Sequence, residues 1–248
     1  MNKVLLVTGG SRGIGAATAL LAAQQGWSVA VNYTANSLAA DEVVRQIRAA
    51  GGHAISIQAD VADEAQVLRM YEHIDAKMGH LQGLVNNAGV VDMTARVDEM
   101  SVARWKRMFD INVIGSLICA REAVRRMSTR HGGEGGSIVN VSSAAARLGA
   151  PGQYVDYAAA KGAIDAFTIG LAKEVAAEGI RVNAVRPGLI ETDIHASGGL
   201  PNRVKDLQHL VPAQRGGSAE EVAEAIVWLL SDSASYTTMS FLDVSGGR

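Results

Sequence analysis

Two short clusters in this 248-residue chain pair residue types that can do chemistry. Tyr157-Ala-Ala-Ala-Lys161 sets a phenol and an ammonium four positions apart, and Ser142-Ser143 precedes them at the end of an apolar run. On a helix, positions i and i+4 lie about 40° apart around the axis and about one turn apart along it. Lys161 can therefore sit beneath Tyr157, where its positive charge favours phenolate over the ordinary value of about 10. A tyrosine shifted in that way is a credible general acid for a carbonyl oxygen near neutral pH. Tyr154 is seven residues from Lys161, about 10 Å along a helix axis, and is the poorer candidate. Taken alone, a Tyr/Lys pair at this spacing is usually a contact on a helix surface.

The other cluster is Thr8-Gly9-Gly10-Ser11-Arg12-Gly13-Ile14-Gly15. Glycines let a backbone approach a pyrophosphate, and the N-terminus of a following helix favours its negative charge. The spacing is G-x-x-x-G-x-G rather than the G-x-G-x-x-G of the common dinucleotide fingerprint. A tight structural turn is the competing reading. The position of the cluster, between a first strand and a first helix, favours the nucleotide.

Both clusters depend on the elements that carry them. Short β-branched runs alternate with longer helical patterns along the whole chain. Strands are expected over 4–8, 29–32, 54–58, 84–86, 137–141, 181–185 and 241–244. Helices are expected over 13–25, 38–50, 63–78, 102–127, 154–178 and 219–230, with Asp63 as an N-cap. The strands are apolar without alternation, as when helices cover both faces of a parallel sheet. Right-handed crossovers then give an open, doubly wound α/β fold. No linker or repeat divides it, so one domain over 1–248 is expected. Residues 190–217 break the rhythm, with four glycines and two prolines. They follow a strand on the ligand-binding side and read as a substrate-covering loop.

Composition excludes several classes. Hydrophobic residues make up 48% and charged residues 19% of the chain, enough apolar material for a large core. Lys+Arg 23 against Asp+Glu 25 gives 23 − 25 = −2, which leaves no basic excess for a nucleic-acid or anionic-membrane partner. Cys119 is the sole cysteine, so no intrachain disulfide can form. His53, His73, His80, His131, His195 and His209 lack ligand spacing, so no metal site is expected. The opening Met-Asn-Lys-Val-Leu-Leu-Val-Thr is too short an apolar stretch for a signal peptide. A cytoplasmic protein is the expectation.

Taken together, the motifs resemble those of the short-chain dehydrogenase/reductase family over essentially the whole chain. The matching pieces are the T-G-x-x-x-G-x-G turn, Asp60-Val61, Asn86-Asn87-Ala88-Gly89, Asn112, Ser143, Tyr157-x-x-x-Lys161 and Pro187-Gly188 with Thr192. The resemblance implies a Rossmann-like domain with a seven-stranded sheet between two helical layers. It also implies hydride transfer between a nicotinamide cofactor and a carbonyl/alcohol pair. In that pattern Tyr157 donates or accepts the proton and Ser143 hydrogen-bonds the substrate oxygen, with Ser142 as its rival. Lys161 binds the nicotinamide ribose and lowers the tyrosine, while Asn112 supports a water-linked proton path. Gly9, Ser11, Arg12, Gly13 and Ile14 form the phosphate turn. Asp60 and Val61 meet the adenine, Asn87, Ala88 and Gly89 pack by the adenosine ribose, and Pro187, Gly188, Ile190 and Thr192 hold the nicotinamide end.

The resemblance also bears on which cofactor and which substrate. NAD-specific members carry an acid at the end of the second strand. This chain has Asn32-Tyr33-Thr34 there, and Arg12 nearby to pair with a 2′-phosphate, so NADP(H) is expected. Small carbonyl or sugar-like alcohol substrates are favoured over the runner-up, 3-oxoacyl-[acyl-carrier-protein] reduction. At one carrier-docking position Arg130 is present, but at the other Glu178 replaces the expected arginine. Arg181 or Arg186 could offset that reversal. Ser143 to Tyr157 is one residue longer than the commonest family spacing, so residues 150–152 should bulge at the pocket. Met239 stands where many members have glycine, which weakens the expectation of a homotetramer. Two other classes, a catalytically idle dinucleotide-binding regulator and a structural interaction protein, are disfavoured because Tyr157 and Lys161 are both present.

Overall fold

The computed structural model describes residues 3–248, without the side chains of His195 and Ala196. The signal-peptide reading therefore falls partly outside the described residues, at Met1 and Asn2, as does the side chain of His195.

The chain runs β1 (Val4–Val7), α1 (Gly13–Gln24), β2 (Ser28–Tyr33), α2 (Ser37–Ala49), β3 (Ala54–Gln58), α3 (Glu64–Met78) and β4 (Leu81–Asn86). It continues through α4 (Val102–Phe109), α5 (Gly115–Met127), β5 (Gly136–Val141), α6 (Ala145–Leu148), α7 (Val155–Val175) and β6 (Ile180–Pro187). The last elements are α8 (Ile194–Ser197), α9 (Arg203–Leu207), α10 (Ala219–Leu230) and β7 (Phe241–Val244). The strands form one seven-stranded sheet in the order β3-β2-β1-β4-β5-β6-β7, and every adjacent pair is parallel.

The unbroken apolar strands have a direct packing cause. Successive side chains of a strand point to opposite faces, so Leu5 and Val7 join α1, α2 and α10 on one side. Val4 and Leu6 join α3, α5 and α7 on the other. Asp63 caps α3 as expected, its carboxylate accepting from the Gln66 amide at 3.1 Å. On the α5 side the Cys119 thiol is fully buried, and burial pushes it up to about 12. The Tyr71 hydroxyl donates to the Cys119 carbonyl at 2.6 Å.

Three expected elements differ. The helix expected over 102–127 is broken into α4 and α5 by a π-helical turn at Asp110–Ile114. Asn112, fully buried there, accepts from the Val90 amide at 3.1 Å and donates to the Val90 carbonyl at 3.0 Å. A tertiary contact, not a helix-breaking residue, therefore accompanies the irregular turn. The helix expected to reach residue 178 ends at Val175, followed by a 3-10 turn over Ala176–Glu178. The segment 190–217 holds two short helices, α8 and α9, instead of open loop. Its ends are stitched together by Ile190 and Gly217, and Gly217 donates to the Leu189 carbonyl at 2.9 Å.

A buried polar chain ties α7 to the sheet. Asn86 donates to Asn140 at 3.0 Å, Asn140 donates to Thr168 at 2.9 Å, and Thr168 donates to the Ile164 carbonyl at 2.8 Å. All three side-chain-bearing residues are buried, so each lost bond leaves a polar atom without water. Asn140→Ala should cost about 2–3 kcal/mol. A fall in the urea midpoint at unchanged slope would measure it.

Candidate active site

All seven strands end on one edge, and the chain leaves β1 and β4 in opposite directions across the sheet. A crevice opens at such a point. The glycine turn after β1 is held in it by side chains from two neighbouring strands. The Thr8 hydroxyl donates to the Val85 carbonyl at 3.2 Å and accepts from the amides of Asn87 and Ala88, both at 3.0 Å. Asn87 returns two bonds, to the carbonyls of Thr8 at 2.8 Å and Gly9 at 3.0 Å. Gly9 and Gly13 have φ of +61° and +52°, where a side chain is strained. Gly15 serves packing: a Cβ there would press into the Gly9 carbonyl and stand 2.5 Å from the Asn87 amide nitrogen.

The residues expected around the adenosine fall into two groups. Arg12 is exposed and makes no side-chain hydrogen bond or ion pair among the described residues, while Ser11 beside it is half-buried. Thr34 is exposed, and Asp60 is half-buried, its carboxylate accepting from the Ala62 amide at 3.0 Å. Asn32 and Val61 are instead buried. The Asn32 amide accepts from Gly9 at 3.1 Å and donates to the Ala59 carbonyl at 3.0 Å, so it builds the turn from behind. Val61 lies against Gly115, where a Cβ would come within 2.8 Å of it.

From this turn a cavity of about 410 Å³ runs along the strand ends. Its wall includes Ile14, Asn87 and Gly89, then Pro187, Gly188, Ile190 and Thr192, together with Ser143, Tyr157 and Lys161. Asn112 stays behind the wall; a Cβ on Gly89 would meet its Oδ1 at 2.7 Å. The neighbours Ser142 and Ser143 differ in their partners. Ser142 donates to Asp165 at 2.6 Å, whereas Ser143 is hydrogen-bonded to Tyr157. Residues 150–152 form a turn on the cavity wall: Ala150 has φ +44°, Gly152 φ +69°, and Ala150 and Pro151 line the cavity.

The electrostatics depart from the expectation for Tyr157. Burial pushes the phenol up to about 12, against the lowering effect of Ser143. Burial likewise pushes Lys161 down to about 8, against the charge of Asp165. The ammonium stands 5.6 Å from the centre of the tyrosine ring and donates to the Val141 carbonyl at 2.7 Å. Desolvation therefore outweighs the attraction of the pair. Tyr157 is a neutral phenol at pH 7, the state a proton donor needs.

Sequence reasoning ranked Tyr154 low and missed Arg203, Leu148, Val91 and Arg248, all of which line the cavity. Tyr154 is placed by its position at the entry to α7, not by its distance from Lys161. Arg203 lies in a segment without periodicity and carries no signal. Among the described residues no group of three or more His, Cys, Asp or Glu could hold a metal. No described helix is long and apolar enough to cross a membrane. The glycine turn, the uncommitted Arg12 and the continuous cavity fit a nicotinamide dinucleotide.

Fold and site together define an oxidoreductase of the doubly wound dinucleotide-binding class. A family model described as enoyl-(acyl carrier protein) reductase matches residues 9–248. An uncharacterized oxidoreductase, YgfF of Escherichia coli (strain K12), is 58% identical over 99% of each chain. Cis-4-hydroxycyclohexanecarboxylate dehydrogenase of Sinomonas cyclohexanicum is 42% identical over 99% of this chain and 96% of its own. The 3-oxoacyl-[acyl-carrier-protein] reductase of a Synechocystis species is 40% identical over the same shares. A solved Serratia marcescens short-chain dehydrogenase/reductase mutant superposes with a TM-score of 0.91 at 33% identity, over 99% of this chain and 97% of that one. This chain belongs to the short-chain dehydrogenase/reductase family.

Two outcomes follow from the site. Tyr157→Phe should lower kcat by roughly 10² to 10⁴ and leave cofactor affinity, measured by fluorescence titration, nearly intact. Lys161→Ala should damage both. The second outcome concerns pH. The folded value of Lys161 lies below its ordinary 10.5, at about 8. Between those values the unfolded chain holds the extra proton, so stability contributed by this site rises with pH. Relative to Lys161→Met, the unmodified protein should gain stability as pH rises from about 8 to 10.5, read from paired denaturation curves.

Proposed function

We propose that this protein is an NADP(H)-dependent oxidoreductase that moves a hydride between nicotinamide and a small carbonyl or alcohol, with Tyr157 as general acid and base. The observation that carries the reading is the meeting of Ser143, Tyr157 and Lys161 on one cavity that continues to the glycine turn. When bound, the cofactor supplies or takes the hydride. Tyr157 gives a proton to the carbonyl oxygen in reduction and takes it back from the alcohol in oxidation. The Ser143 hydroxyl donates to that same oxygen, and Lys161 is the ribose contact. Asn112, bonded to Val90, supports the backbone of the proton path.

The choice of cofactor rests on Arg12. Its guanidinium is exposed and makes no hydrogen bond or ion pair among the described residues, and Tyr33 and Thr34 at the end of β2 offer no carboxylate to repel a 2′-phosphate. Gly9, Gly13 and Ile14 would cradle the pyrophosphate, with Asp60 and Val61 by the adenine and the Asn87–Gly89 turn by the ribose.

The preference for small substrates rests on Glu178. Its carboxylate accepts from Ser128 at 2.5 Å, and Ser128 also accepts from the Arg130 amide at 3.1 Å. An acid is thus fixed on the same serine as the backbone of Arg130, the residue expected to meet an acidic carrier. Neither arginine that could offset it is free. Arg181 donates to the carbonyls of Leu229 and Ser231, at 2.7 and 3.1 Å. Arg186 pairs with Asp165 at 2.9 Å. The Sinomonas relative, named for a small free hydroxy acid, supports the same choice; the Synechocystis relative supports the alternative, carrier-bound 3-oxoacyl reduction. A homo-oligomer fits the exposed apolar residues Val102, Trp105, Phe109 and Ile114 along α4 and the turn after it.

One assay tests the proposal: reduction of a ketone and aldose panel and of an acetoacetyl carrier-protein conjugate, each with NADPH and NADH. Higher kcat/KM with NADPH and with the free carbonyls is expected. Equal use of NADH would remove the role given to Arg12. A preference for the conjugate that weakens as salt rises would establish the carrier-protein alternative.

A further inference from the structure

We propose that the substrate carries a carboxylate, bound by Arg203 in the wall of the cavity. The inference rests on the oxidoreductase reading above and specifies its substrate class.

Arg203 Nη1 is buried and has no hydrogen-bond partner among the described residues. Arg203 as a whole is half-buried, but this nitrogen is shut off from water, and an unpaired buried donor is costly unless something fills its place. The guanidinium stands 5.3 Å over the ring of Tyr154, to which it is also hydrogen-bonded. Stacking on an aromatic face holds the planar fork in one orientation, ready for a bidentate anion. Its short helix is fixed as well, since Val204 packs on Gly216 where any Cβ would collide.

The rest of the wall is charged one way. Lys161, Arg203 and Arg248 line the cavity, and none of its lining residues is Asp or Glu. Burial pushes Arg203 below its ordinary value, and Arg248 acts in the same direction. A ligand anion would relieve both effects, because it replaces lost water and offsets the neighbouring charge.

The geometry also limits where the carboxylate sits on the substrate. Arg203 is held by Tyr154, the residue before the first helical turn of α7, whereas Ser143 is held by Tyr157, three residues further on, where the reacting carbon would sit. The carboxylate is therefore several bonds from that carbon, which favours γ- or δ-oxo acids over α-oxo acids.

Two measurements test the assignment. In the first, kcat/KM is compared for 4-oxopentanoate, 4-oxocyclohexanecarboxylate and their primary amides, in the unmodified protein and in Arg203→Gln. We expect at least a tenfold preference for the acids, falling close to parity in the variant. Amides reduced as well as the acids would overturn the proposal. In the second, calorimetry compares binding of cyclohexanecarboxylate and cyclohexanecarboxamide without turnover. Carboxylate affinity should drop at least tenfold in Arg203→Gln, with Arg203→Lys between the two; unchanged affinity in Arg203→Gln would overturn the proposal. Failure of every carbonyl to react, with carboxylate binding that depends on Arg203, would remove the oxidoreductase reading and leave the anion site standing.

Discussion

The structure depends on how Thr8 and Asn87 lock two strands together at the crevice. One hydroxyl accepts two amides from the turn after β4 and donates back to β4, while one side-chain amide spans two carbonyls of the turn after β1. These bonds cross between segments nearly 80 residues apart in sequence. They fix the glycine turn and the Asn87–Gly89 turn as one rigid unit. Asn32 completes it from the β2 side. Because β1 and β4 are also the neighbours where the sheet order reverses, this small polar clamp sets the floor on which a dinucleotide can lie.

A second constraint acts on the residues of α7 that line the cavity. Desolvation governs Tyr157 and Lys161 more strongly than their mutual charge does. The polar chain from Asn86 through Asn140 to Thr168 anchors α7 from below, and Asp165 joins Ser142 and Arg186 to the same helix. The helix carrying Tyr157 is thus tied to β4, β5 and β6. That leaves little freedom for Tyr157 to drift from Ser143, and positioning of this kind is worth several orders of magnitude in rate.

Much of this was legible in the residues. The apolar strands revealed parallel layers, since their alternation is hidden when both faces are covered, and the glycine and Tyr/Lys clusters fell at strand ends and on a helix as their chemistry required. What escaped was set by contacts distant in sequence. Nothing local breaks the chain at Asn112; its amide bonds to Val90, 22 positions away. Asn32 reads as a ligand contact because it stands at the end of the second strand, where NAD-specific members carry an acid, yet three carbonyls and one amide claim its side chain. Tyr154 lines the cavity and carries Arg203, a role that its distance to Lys161 does not reveal. Arg203 sits where periodicity is absent and no pattern could point to it.

The burial of Cys119 has a practical consequence. It is the sole cysteine of the chain, enclosed between α3, α5 and the sheet, with its thiol held in the unreactive neutral form. An alkylating reagent meets thiolate only when that layer opens. The rate of labelling under native conditions therefore reports the free energy of opening at one known position, without any introduced probe. The protein carries its own gauge of how far the helical layer that includes α7 can breathe.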